Sequence, residues 1–206
     1  MKSYPLPVVL AAVLTLSAAS VLAQDAAWKN SYQLEASGKY YEAIAAINHV
    51  PANGPDAELK ALRRGWLYYL PGSFNESIRE YRLAIERNRR SVDARIGVTL
   101  PLLAQKRWRE AAQNAKAALE LAPNNFTALL RLAMALEGQQ DWEGMAQTAT
   151  LMAASYPSEV SAYVYLARAN VSLARQGDAI AAYTAVLVRD PSNLEAKTWL
   201  GKSAAK

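Results

Sequence analysis

Six columns of residues recur every 34 positions along this chain, and that spacing limits the folds open to it more than any other feature. Stepping from Ala43 gives Ala43, Ser77, Ala111, Met145 and Ala179. Four residues later stand Ile47, Tyr81, Ala115, Ala149 and Tyr183, and three beyond those Val50, Ala84, Ala118, Met152 and Val186. Positions i, i+4 and i+7 share one face of an α-helix, so each unit carries a helix with an apolar stripe. Twelve residues upstream of the first column lie Ser31, Gly65, Thr99, Ala133 and Ala167, small in every unit, as close approach of two helices requires. Tyr40, Phe74, Trp108, Trp142 and Gln176 open the second helix of each unit, and Pro55, Arg89, Pro123, Pro157 and Pro191 follow it. A proline there ends a helix by pushing the preceding residue out of the α region. No insertion breaks the register, and a fixed period of this length is the mark of a stacked repeat array.

Local signals agree with hairpins of helices. The 41 alanines among 206 residues favour helix throughout. Ser73 with Glu76, and Ser192 with Glu195, read as capping boxes. Asp141 and Asn124-Asn125 stand where N-caps belong. Gly38 and Pro71-Gly72 break the chain between paired helices, whereas Gly177 lies late in its turn. Pro101 falls inside a first helix, removes the hydrogen bond to the Gly97 carbonyl and should kink it.

The pattern resembles the tetratricopeptide repeat (TPR) family, whose motif is a 34-residue helix–turn–helix. The resemblance spans five units, at about residues 27–55, 61–89, 95–123, 129–157 and 163–191. Arg89 departs from it in place of the second unit's proline, and Gln176 in place of the fifth unit's aromatic. Residues 192–206 place Trp199-Leu200-Gly201 where a sixth first helix would have them, and are expected to form a C-terminal capping helix over the last apolar face. The resemblance implies an all-α, right-handed superhelical solenoid whose first helices line a concave groove.

A fold of that kind implies a binding module without naming the ligand. In the family's register the groove residues are Trp28, Tyr32, Arg63, Trp66, Tyr69, Arg131 and Arg168. Aromatic and arginine side chains are the types enriched at interface hot spots; the alternative is that the rings pack between repeats. The two-carboxylate clamp of some family members is missing, because the corresponding helices carry Lys29 with Gln33, then Arg63, then Asp93 and Gly97.

Charge is uneven. Residues 60–109 hold twelve basic and four acidic residues, against a net charge of +5 for the whole chain. Arg79, Arg82, Arg87, Arg89 and Arg90 form a basic stretch that reads either as a solvated face or as a patch for an acidic protein or acidic polysaccharide. No nucleic-acid motif accompanies it.

The chain has no cysteine and one histidine, which excludes disulfides, thiol nucleophiles, thiolate metal sites and His-pair metal motifs. His49 has no acid or nucleophile partner in the sequence, and Glu76 and Glu80 interleave with Arg79 and Arg82 as surface ion pairs would. No catalytic, metal or cofactor motif is present, so no cofactor is expected. Residues 1–23 read as a secretory signal peptide: Lys2 first, an uncharged run from Val8 to Leu22, then Val21-Leu22-Ala23 as the cleavage signal. The alternative is an uncleaved anchor. The expectation is a non-enzymatic, periplasmic or secreted adaptor that binds a protein or peptide, with no stable membrane span once the signal is removed. Polyanion binding in exopolysaccharide export and self-assembly through stacked repeats are the competing readings.

Overall fold

The computed structural model describes residues 23–204; apart from Ala23, the expected signal segment lies outside them. The described residues are all-helical, without a strand, and form two compact units, one ending at Arg87 and one beginning at Asn88. The first unit contains α1 (23–36), α2 (Tyr40–Ala46), α3 (Ala57–Tyr69) and α4 (Phe74–Arg87). The second contains α5 (Val92–Ala104), α6 (Trp108–Leu121), α7 (Phe126–Gln139), α8 (Trp142–Ser155), α9 (Val160–Ser172), α10 (Gln176–Arg189) and α11 (Leu194–Ala204). Within the second unit each helix packs on its neighbours in sequence, and α7 also touches α5 and α9.

The 34-residue columns become the core. All fifteen residues of the three apolar columns are buried, and so are the five of the small-residue column, from Ser31 to Ala167. The reason for small residues is visible at Gly65, where an added Cβ would lie 2.9 Å from the Tyr81 ring. Apolar clusters then join successive helices: Ala43, Ile44 and Leu67 in the first unit, and Ala167, Tyr183, Val186 and Ala196 in the second.

The turn between the helices of each pair repeats as well. Gly38, Gly72, Lys106, Gln140 and Ala174, each 34 residues from the next, all have positive φ, at 73°, 86°, 57°, 59° and 56°. At every one the next residue's N–H reaches back five residues, as Lys39 does to Leu34 O (2.9 Å) and Arg175 to Asn170 O (2.8 Å). That is the Schellman end of a helix, which favours glycine. Three of the five positions lack it. Gly177, expected in the turn, is instead in the first turn of α10.

Caps recur at the same spacing. Ser91 Oγ accepts from Ala94 N–H (3.1 Å), Asn125 Oδ1 from Ala128 (3.0 Å) and Asn193 Oδ1 from Ala196 (3.0 Å), while Asp141 caps α8 through Gly144 N–H (3.0 Å). The two capping boxes do not form. Ser73 Oγ pairs with the Tyr41 hydroxyl (2.8 Å), and Ser192 Oγ donates to Asp190 (2.6 Å), which leaves Asn193 to cap α11. Those Ser192 hydrogen bonds hold the Asp190 carboxyl below its usual range.

The first unit departs most from the expected pattern. The proline column places the end of its second helix near Pro55, yet α2 stops at Ala46. Pro51 is the cause: it excludes Val50 from the α region and offers no N–H to the preceding turn. Residues Ile47, Asn48 and Val50 instead make bonds to carbonyls three residues back. Lys60 Nζ takes up the carbonyls of Asn48 (2.8 Å) and Val50 (2.6 Å), and burial lowers its pKa. His49 lies exposed in this loop and not on a helix. Where α4 lacks a proline after it, Asn88 does the work by accepting the Arg90 N–H (3.0 Å) in an Asx turn.

Candidate partner-binding face

In the first unit α1 and α3 bring Tyr32, Arg63, Trp66 and Tyr69 together. Arg63, Trp66 and Tyr69 are three residues apart, so they climb one side of α3. Across from them, Glu35 of α1 ties two of the group in place. Its carboxylate pairs with the Arg63 guanidinium and accepts the Trp66 indole N–H at 2.6 Å. Arg63 Nε also donates to Ser31 Oγ (3.2 Å). Arg63 is only 6% exposed, and its Nη2 finds no partner among the described residues. Above it lies the Tyr32 ring, its centroid 3.9 Å from the guanidinium carbon, with Tyr32 itself 53% exposed. Trp66 stacks at a tilt on Tyr69 (centroids 5.7 Å, 31°), and Tyr69 on Phe74 (5.9 Å, 41°). The result is a row of rings in which one carboxylate holds Trp66 and the Arg63 guanidinium beneath Tyr32. Trp28 is half-buried and packs on Ala27, Ile47 and Val50, so much of its ring belongs to the core.

The remaining expected groove residues are in the second unit. Arg131 contacts the Met134 sulfur (3.4 Å). Arg168 donates to both Glu195 oxygens (2.9 and 2.6 Å) and to Glu137 (3.2 Å), and lies 5.7 Å from the Tyr165 ring centroid. Glu195 also accepts from the Tyr183 hydroxyl (2.8 Å). The Arg168 hydrogen bond holds the Glu195 carboxyl below the usual range, while burial, then the Glu195 bond, push Tyr183 up. Arg168 is therefore committed to fastening α9 to α11.

Sequence reasoning missed the acids that organise both clusters. Their signal was present: Glu35 lies 28 residues before Arg63 and Glu195 lies 27 after Arg168, about one unit less two helical turns. It also misread Glu80, which is buried and pairs with Arg64 of α3 at 2.9 Å instead of lying on the surface. Of the basic stretch, Arg79, Arg82 and Arg87 are exposed on α4, and Arg89 and Arg90 are exposed at the start of the second unit. Among the described residues no helix is long and apolar enough to cross a membrane.

No family model matches the chain, and no curated protein matches it. Solved structures of MamA do. A double mutant of MamA from strain RS-1 aligns with a TM-score of 0.74 at 16% identity, over 82% of this chain and 96% of that one. MamA 41-end from Desulfovibrio magneticus RS-1 aligns at 0.71 and 17%, over 84% and 97%. A further MamA crystal structure aligns at 0.73 and 15%, over 82% and 92%. Likeness at this identity establishes a shared helical-repeat fold.

Proposed function

From a helical-repeat fold shared with MamA, we propose that this chain is a non-enzymatic scaffold of the TPR type that holds a segment of a partner protein against its first helices. The observation that carries the reading is the Tyr32–Arg63–Trp66–Tyr69 row. These side chains are the types that dominate interface energetics, and Glu35 fixes two of them before any partner arrives. Pre-ordered rings lose less freedom on binding. The Tyr32 ring is the accessible member, exposed over a guanidinium that it shields from water. Residues 1–23, read as an export signal, support a place for this activity in the cell envelope.

Tyr32 is a cleaner probe than Trp66, whose loss would also break the bond to Glu35. A photo-crosslinking amino acid at position 32, used in the native envelope, is expected to trap one defined protein. The same group at Lys116, exposed on α6, is not. Equal products at both positions, or none at position 32, would contradict the proposal.

A second reading keeps the basic stretch in view. Arg79, Arg87, Arg89 and Arg90 are exposed, and none of their side chains pairs with a described residue. That leaves them available to an acidic polysaccharide. Retention on immobilised alginate should then fall steeply with salt and be lost when Arg87, Arg89 and Arg90 become glutamine. Retention that ignores salt would remove this reading.

A further inference from the structure

A cleft of about 690 Å³ opens between α8 and α10, with α9 as its floor. Residues 163, 166 and 170 of α9 face it, on the side opposite Tyr165 and Arg168, and it shares no residue with the row proposed above. It exists because its walls are short. Ala146 of α8 and Ala181, Ala182 and Ala185 of α10 offer only methyl groups, and Leu166 does not fill the space between them.

The two ends of the cleft differ. Tyr163 and Ala185 line one end, where the Arg189 guanidinium lies 3.7 Å from the Tyr163 ring centroid and donates to its hydroxyl (2.8 Å), and Val188, one turn beyond Ala185 on the same line of α10, is 74% exposed. The other end is polar. Glu143 and Arg175 pair across its mouth, and Asp178 pairs with none of the described residues, so two carboxylates face one guanidinium. Asn170 lies in the floor at this end. It is 5% exposed, and its side-chain amide has no hydrogen-bond partner among the described residues. Its amide nitrogen and oxygen are not sealed from solvent but open to the cleft, and donor and acceptor together match a peptide group.

We propose that this cleft binds a short peptide segment of a partner protein. An apolar side chain of leucine size would rest among Ala146, Leu166 and Ala182. The adjacent peptide group would pair with the Asn170 amide, and a neighbouring lysine or arginine would face Asp178. The excess carboxylate at the mouth selects a basic neighbour over an acidic one.

The test titrates three end-blocked tetrapeptides, Gly-Leu-Lys-Gly, Gly-Leu-Glu-Gly and Gly-Gly-Lys-Gly, into the isotope-labelled protein and follows backbone amide shifts. The first should move the amides of Ala146, Leu166, Asn170 and Ala182, and the other two should bind more weakly. Asp178→Asn, at an exposed position, should weaken the lysine peptide about two- to fivefold, the range of an exposed ion pair, and remove its advantage over the glutamate peptide. Ala181→Leu, also exposed, narrows the cleft without entering the core and should weaken both leucine peptides. Shifts located elsewhere, equal binding of the leucine-free peptide, or indifference to both substitutions would overturn the proposal. So would concentration-dependent shifts of these amides without peptide, which would assign the cleft to a second copy of the chain.

Discussion

At the residue scale, two positions show how much of this structure is set by a single Cβ. Ala174 holds φ 56° in the turn between α9 and α10. A left-handed conformation costs a residue with a side chain roughly 1–2 kcal/mol, and glycine recovers part of it after its own entropic penalty. Ala174→Gly is expected to raise stability by about 0.5–1 kcal/mol, read as a higher midpoint in thermal denaturation. Gly138 has the opposite constraint. An added Cβ would sit 2.4 Å from the Trp108 ring, closer than atoms pack, and a large ring between helices cannot yield cheaply. Gly138→Ala should therefore destabilise by about 1–3 kcal/mol, despite alanine's better helix propensity, and the same melts would show it. The columns of small and apolar residues were legible in the sequence because burial enforces them at every unit. The left-handed turns at Lys106, Gln140 and Ala174 were not, because the backbone bonds hold that geometry without the glycine that signals it.

At the element scale, α11 is fastened to α9 and α10 by the Glu195 carboxylate as well as by the apolar cluster around Tyr183, Val186 and Ala196. Glu195 accepts from Arg168 and Tyr183, and its pKa is lowered chiefly by the Arg168 hydrogen bond. A carboxyl with a lowered folded-state pKa stabilises the fold at pH above its unfolded value of about 4.3, and that contribution disappears as pH falls through the folded value. Melting midpoints should thus drop more steeply below about pH 4.3 in the unaltered protein than in Glu195→Gln. Near neutrality the substitution should cost about 1 kcal/mol or less, because Arg168 and Glu195 stay 38% and 36% exposed and water screens the pair. Parallel pH profiles for the two proteins would refute this account of the terminal helix. Element boundaries were legible where Asn, Asp or Ser caps stood in register. They failed at α2, where Pro51 acted before the proline of the column could.

At the scale of the whole molecule, sequence period and structure express one physical arrangement: within each unit, helical pairs bury the same columns, so stability is spread over repeated interfaces. The features proposed to meet a partner were harder to read. Tyr32, Arg63, Trp66 and Tyr69 could be placed on one side of the first helices, but the carboxylate that fixes Arg63 and Trp66 comes from α1, one hairpin earlier. The cleft between α8 and α10 arises from methyl-sized walls that look like ordinary alanines in a chain rich in them. If the hairpins are equivalent units, one should be removable. Deleting residues 125–158 takes out α7 and α8 with one full period of 34, and brings Ala167 to the place of Ala133. Circular dichroism of this shortened chain through a thermal melt is the most direct measurement. The account predicts unchanged helicity per residue and a single cooperative transition, with both lost when α7 alone (Phe126–Gln139) is deleted. A full-period deletion that melts without cooperativity, or that fares no better than the loss of α7, would contradict it.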